Sequence, residues 1–258
     1  MPLSTQEVHP RSLEPAYRKE LSKLAADNAV SRLWAKDVTL WPHPPALKKR
    51  DTSLLNWLDL PQRMSEYMPR VVASAQVLEK SGFETLVFVG MGASNLAADA
   101  VSRMAVTTRG QRFIVFDSID PRSIQKLSST LDWATTLFVF ASKSGKLMEM
   151  HGLLLYFLDK LKAAGIAQPG HHFVAVTDEN SYLAQLGKEY RFHDIFLDPP
   201  GITGRFSSLI HFDLLLSAIG RVPPDVLSAR SVAMQAACGS SVPPYRSGFN
   251  VNESIISD

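Results

Sequence analysis

Two short polar segments of the sequence carry side chains that could bind an anion. Ser142-Lys143-Ser144 supplies two hydroxyls and an ammonium group, and Gly204-Arg205-Phe206-Ser207 supplies a guanidinium about sixty residues later. Each segment follows an apolar run typical of a β-strand and precedes a helical pattern, and helix N-termini bind anions through free N–H groups. Because charge-assisted hydrogen bonds to phosphate are strong, these segments predict a site for an anionic ligand held without metal, most simply a sugar phosphate.

A third loop of this kind is Gly90-Met91-Gly92-Ala93-Ser94. Its glycines allow the backbone to approach a ligand closely, and Ser94 could either bind a phosphate or simply cap the next helix. Asn95 stands where the dinucleotide fingerprint needs a third glycine, and no Walker lysine follows. Structural alternatives also exist for the first two segments, namely a capped turn at Ser142-Lys143-Ser144 and an ion pair at Arg205.

The elements that position these loops alternate regularly along the chain. The predicted strands are Leu86–Met91, Phe113–Asp117, Leu137–Ala141, His172–Thr177 and Ile195–Leu197. The predicted helices are Asn95–Val106, Pro121–Leu131, Leu147–Ala164, Ser181–Lys188 and Ser207–Ile219. Several strands are continuously apolar, which is typical of strands covered on both faces. The pattern predicts an α/β fold with a doubly wound, five-stranded parallel sheet flanked by helices, whose ligand crevice lies outside the carboxyl ends of the strands.

An N-terminal helical segment precedes this alternating part. Residues 13–28 have helical spacing. A longer helix is predicted from Pro61, with a kink or restart at Pro69 and a glycine cap at Gly82. Asp120 before Pro121 predicts a capped helix start.

Composition limits the classes of function. The chain has 258 residues, 45% of them apolar, and a formal net charge of +2, which is too small to indicate nucleic acid or an anionic membrane as a partner. No apolar run is long enough to span a bilayer. Cys238 is the only cysteine, so neither an internal disulfide nor a cysteine metal cluster is expected. With no secretory signal at the N-terminus, the sequence predicts a cytoplasmic protein without metal or other cofactor.

The loops in this order resemble the first half of glucose-6-phosphate isomerase, in the sugar isomerase (SIS) domain family. The most similar form is the isomerase portion of bacterial transaldolase/glucose-6-phosphate isomerase fusions. The resemblance extends from about residue 30 to residue 245. It rests on residues 90–94, 117–121, 142–145, 196–200 and 204–207, with 32–37 and 237–239 in support.

The resemblance implies a SIS-type fold and an aldose–ketose isomerase that interconverts glucose 6-phosphate and fructose 6-phosphate through an enediolate. Arg205 matches the arginine that stabilises this intermediate, and a preorganised donor of that kind contributes about 3–4 kcal/mol. The implied substrate-binding residues are Gly92, Ser94, Ser142, Lys143, Ser144 and Glu149. The implied domains are an accessory segment at 1–60, a sugar-phosphate-binding domain at 61–225, and a connector at 226–258.

Three departures from the family pattern limit this expectation. Lys146 and Leu147 stand where the family's phosphate loop has a glycine or threonine and then a threonine, and Ala93 replaces a glycine. The family also has a second lobe that supplies the general-base glutamate, toward which the connector would lead. We therefore expect little turnover by this chain alone, and either a missing second lobe or self-association through an apolar patch. The alternative function is a non-catalytic sugar-phosphate-binding module.

Overall fold

A computed structural model of the protein describes residues 11–41, 52–92, 94–104, 111–202, 206, 209–220 and 222–239. The chain divides into two compact units, one formed by Met1–Pro61 with Ala229–Asp258 and the other by Gln62–Ser228. The predicted domain boundaries at 60 and 225 stay predictions, although the larger unit contains the whole sheet.

The sheet of the larger unit has five parallel strands. They are β1 (Thr85–Gly90), β2 (Arg112–Phe116), β3 (Thr136–Ala141), β4 (Phe173–Asp178) and β5 (Asp194–Asp198). Their order across the sheet is β2-β1-β3-β4-β5, and β1 pairs with β3 in a register that joins Gly90 to Ala141. Each strand lies within two residues of its predicted bounds. The prediction of a five-stranded, parallel α/β sheet is therefore confirmed.

Helices flank the sheet and connect its strands. Those of the described chain are α1 (Glu14–Ala26), α2 (Ala29–Trp34), α3 (Leu60–Lys80), α4 (Ser94–Met104), α5 (Pro121–Ser128), α6 (Met148–Ala163), α7 (Tyr182–Glu189), α8 (His211–Ile219) and α9 (Pro224–Ala237). The helix α3 continues through Pro69, so no restart occurs there. Gly82 follows α3 with a φ of +83°, and the Asp120 side chain accepts a hydrogen bond from the Ser123 amide at 2.8 Å. Both predicted caps are confirmed.

Apolar side chains fill both faces of the sheet. On one face, residues of β1 and β3 such as Phe88 and Val139 pack with the inner side of α3 and with α8. On the other face, Phe138 stacks on Phe157 of α6 with ring centroids 4.3 Å apart. Since burial of one such ring contributes about 1.5–3 kcal/mol, these two layers hold the strand ends, and the loops that follow them, in fixed positions.

The smaller unit is helical and is fastened by polar contacts between distant parts of the sequence. The indole Nε1 of Trp34 donates to the carbonyl oxygen of Cys238 at 2.9 Å, and the amide of Gln235 donates to the carbonyl oxygen of Leu58 at 2.7 Å. The ammonium group of Lys36 pairs with the carboxylate of Asp59. These bonds explain why residues 229–239 belong to the same unit as the N-terminal helices.

Candidate functional site

A cavity of about 280 Å³ opens at the carboxyl edge of the sheet, beside the ends of β1 and β3. The strand order reverses direction between these two strands, and open α/β sheets bind ligands at that point. We call it the switch-point cavity. It is lined by Met91, Ala141, Ser142, Lys143, Ser144, Leu147, Val176, Asp198, Ile210 and Phe212.

Ser142 presents a buried hydroxyl to the switch-point cavity. Its backbone amide donates to the carbonyl oxygen of Val176 at 3.1 Å, which continues the pairing of β3 with β4 beyond the last strand residue. The residue is only 7% exposed, yet within the described part of the chain its Oγ has no hydrogen-bond partner. A buried hydroxyl without a partner costs about 1–3 kcal/mol. A ligand that accepts a hydrogen bond from the Ser142 hydroxyl removes that cost.

A side chain near the end of β4 holds the backbone of the 142–144 loop. The Oγ1 of Thr177 donates to the carbonyl oxygen of Ser142 at 2.6 Å and lies 2.6 Å from the Oγ of Ser181. Ser181 in turn caps α7 by accepting from the amide of Ala184 at 3.0 Å. Buried side-chain networks of this kind fix one loop conformation. The loop is therefore preorganised before any ligand arrives.

The same loop ends at a helix without a side-chain cap. Gly145 takes a φ of +65°, which turns the chain into α6. Leu147 stands at the N-cap position and makes no side-chain capping bond. The first amides of α6 thus lack the partner that a serine or threonine would provide, which leaves them to water or to an anion. The Leu147 substitution noted in the sequence accounts for this uncapped start.

The ammonium group of Lys143 lies between two carboxylates. Its Nζ is 2.8 Å from Oδ1 of Asp178 and 3.5 Å from Oδ2 of Asp198. The other oxygen of Asp198 is 3.1 Å from Nδ1 of His211, and both of these side chains are at most 4% exposed. Asp198 therefore joins the end of β5 to the start of α8 at the wall of the cavity.

A second carboxyl group is buried beneath this pair. Asp213 is 1% exposed, and neither of its oxygens has a hydrogen-bond partner among the described residues. Burial raises the pKa of Asp213 well above its usual range, and the nearby charge of Asp198 raises it further. The neutral acid is thus the form that the folded protein favours at this position.

The structure brings some of the predicted site residues together and separates others. Ser142, Lys143 and Ser144 all line the switch-point cavity. Glu149 is exposed and lines a different cavity, of about 550 Å³, between α5 and α6. Gly92, exposed and with a φ of +92°, follows the cavity residue Met91. Ser94 begins α4, but its side chain, like Arg205, lies outside the described residues.

Three polar residues of the site were not among the predicted ones. Asp198 and His211 make the pair described above, and Thr177 supports the loop. The available signal was position: Thr177 and Asp198 are polar residues that follow apolar runs near the carboxyl ends of β4 and β5. His211 offered no such signal, because its role depends on how α8 packs against β5.

Two further findings bear on the class of site. Across the described ranges, no three His, Cys, Asp or Glu side chains are grouped so that they could hold a metal ion. In the same ranges, no helix has both the length and the apolar character needed to cross a membrane.

The fold and the cavity define the class of protein: an α/β protein with a parallel sheet of order 2-1-3-4-5 and a hydroxyl- and lysine-bearing loop at its switch point. No family model matches the chain. A hypothetical protein of Thermus thermophilus has a crystal structure that matches 95% of this chain, and 55% of its own, with a TM-score of 0.74 and 26% identity.

Curated sequences show which proteins the chain is similar to. Glucose-6-phosphate isomerase of Thermus thermophilus is 32% identical over 175 residues, which are 68% of this chain and 41% of that protein. The protein of the same name from Acaryochloris marina is 27% identical over 238 residues, 86% of this chain and 42% of its own length. The chain is therefore a partial homologue of glucose-6-phosphate isomerase and spans about 41% of the relative in Thermus.

Proposed function

We propose that the protein takes part in the isomerisation of glucose 6-phosphate to fructose 6-phosphate, with the phosphate bound in the switch-point cavity. The observation that carries this proposal is the buried Ser142 hydroxyl, which has no hydrogen-bond partner in the described part of the chain and lines the same cavity as Lys143 and Leu147, the N-cap residue of α6. Homology to proteins named glucose-6-phosphate isomerase supports the reaction. Ser142, Lys143 and Ser144 are the proposed phosphate ligands.

The proposed chemistry moves one proton between neighbouring carbons of the open-chain sugar. A base removes the proton from C2 of the aldose and returns it to C1, while the carbonyl oxygen at C1 becomes a hydroxyl and the hydroxyl at C2 becomes a carbonyl. The enediolate between these forms carries negative charge, and Arg205 is the proposed group that stabilises it. Gly92, Ser94 and Glu149 keep the supporting roles that the family resemblance implies.

We place the general base in the part of the isomerases that this chain does not span, namely in their second lobe. The site is proposed to work in the cytoplasm. The likeness to transaldolase fusions stays a prediction.

The placement of the general base outside this chain can be tested with the 258-residue chain. Binding of fructose 6-phosphate without turnover fits this placement, whereas turnover by the chain alone contradicts it.

Replacement of Ser142 by alanine tests the phosphate site directly. We expect isothermal titration calorimetry to show binding of fructose 6-phosphate to the native protein and at least about tenfold weaker binding to Ser142→Ala, because one hydrogen bond to a charged group contributes about 1.5–3 kcal/mol. Ser129→Ala is the matched control, since this exposed serine bonds only to the carbonyl oxygen of Lys126 in α5. Equal affinities of all three proteins, or no binding to the native chain, would refute the proposed site.

A further inference from the structure

The wall of the switch-point cavity carries a negative charge beside its cation, and this charge has a consequence for the ligand. We infer that Asp198 determines specificity in the cavity, by accepting a hydrogen bond from a ligand hydroxyl and by disfavouring anions that offer no such donor. The cavity then selects phosphate esters of polyols over a bare oxyanion without a hydroxyl, such as sulfate. The inference rests on the proposed function, because it concerns the ligand of the same site.

Asp198 cannot turn away from the cavity. Its side chain is 2% exposed, and its Oδ1 is held at 3.1 Å by Nδ1 of His211. The His211 ring is fixed in turn by two aromatic neighbours, since its centroid is 5.2 Å from that of Tyr67 and 5.2 Å from that of Phe196. The carboxylate is therefore a permanent feature of the wall.

The cation of the cavity is already shared. Lys143 is the lysine of the lining, and its Nζ contacts the carboxylates of both Asp178 and Asp198. A sulfate ion that approaches Lys143 also approaches Asp198, to which it can donate no hydrogen bond, and like charges repel strongly where water is scarce. The ammonium group of Lys143 alone therefore does not make the cavity a non-selective binding site for anions.

A hydroxyl-bearing ester meets a different environment. An ionised carboxylate only accepts hydrogen bonds and has about four lone-pair positions on its two oxygens, of which His211 and Lys143 occupy two. Ser142, nine-tenths buried and without a partner among the described residues, can donate to a phosphate oxygen. Donor and acceptor thus face one cavity, and a ligand that carries both a phosphate and a hydroxyl satisfies both.

Asp198→Asn removes the charge and keeps the shape. The measured quantity is the ratio of the affinities for fructose 6-phosphate and for sulfate, each determined by calorimetric titration at one pH and salt concentration. We expect the native protein to prefer the sugar ester and the ratio to fall about tenfold in the variant. Both anions gain from the loss of repulsion, but only the sugar ester loses the hydrogen bond from its hydroxyl to a charged acceptor. A fall of more than threefold supports the inference, and a smaller change overturns it.

Asp178→Asn is the matched control. This carboxylate also pairs with Lys143, but its side chain is 42% exposed and it does not line the cavity. We expect it to change both affinities by a similar factor and to leave the ratio within threefold of the native value. An equal fall of the ratio in both variants would assign the effect to Lys143 and overturn the role of Asp198.

The outcomes separate this inference from the proposed function. Binding of fructose 6-phosphate with an unchanged ratio in Asp198→Asn overturns only the inference, whereas no binding of fructose 6-phosphate to the native protein overturns both. Should Asp198→Asn fail to fold, as thermal unfolding would reveal, the native protein still decides. A native preference for the sugar ester of less than threefold overturns the role of Asp198.

Discussion

Replacement of Gly145 by alanine is expected to disrupt the 142–144 loop and to lower the stability of the protein by about 2–4 kcal/mol. A Cβ at this position would lie 2.3 Å from the backbone nitrogen of Leu183 and 2.8 Å from its Cβ. Leu183 belongs to α7 and is 4% exposed, so it cannot yield without moving the helix. The φ of +65° adds backbone strain. We expect the affinity for fructose 6-phosphate to fall at least about tenfold as the loop shifts.

Gly165→Ala separates steric overlap from backbone strain. Gly165 also has a left-handed conformation, with a φ of +78°, but a Cβ there would meet nothing within 4 Å. This variant is therefore expected to lose only about 1 kcal/mol, the cost of a non-glycine residue at such a φ. Urea denaturation of the two variants gives the comparison. Equal stabilities of Gly145→Ala and Gly165→Ala would contradict the predicted steric overlap between the loop and α7.

The strands and their loops could be predicted because the relevant signals are local. The predicted strands 86–91 and 137–141 are apolar runs covered on both faces, and their bounds differ from the observed ones by at most one residue. Parallel topology then requires the loops after these strands to meet at one edge of the sheet. Ser142 and its neighbours reach the switch-point cavity for that reason alone.

The partners of Lys143 could not be predicted in the same way. Its two carboxylates come from the ends of β4 and β5, and the nearest strand neighbours of a residue say nothing about where a long side chain points. The same holds for α8, in which His211, Asp213 and Ser217 are all buried. Three polar residues in nine favour an exposed helix face, and only the packing of α8 against the sheet and α4 shows otherwise.

Replacement of Asp213 by asparagine is expected to stabilise the protein at neutral and alkaline pH. The folded-state pKa of Asp213 is raised above 3.8, mainly by burial and then by the charge of Asp198. A carboxyl group with a raised folded pKa favours folding fully below its unfolded pKa, and this contribution is lost as the pH rises through the folded value. Asparagine resembles the neutral acid and does not titrate. The variant should therefore match the native protein near pH 4 and exceed its stability by about 1–3 kcal/mol at pH 8.

The pH dependence of the difference between the two proteins is the decisive measurement, because groups that do not interact with Asp213 titrate equally in both and cancel. Urea denaturation at several pH values from 4 to 8 provides it. Ser217→Ala is the control in the same buried helix: it removes the hydrogen bond from the Ser217 hydroxyl to the carbonyl oxygen of Val222, 2.8 Å long, without removing a titratable group. Its cost of about 1 kcal/mol should be the same at every pH. A constant difference between Asp213→Asn and the native protein would mean that the folded protein solvates or pairs this carboxylate. Asp213 would then carry a negative charge near Asp198 at neutral pH.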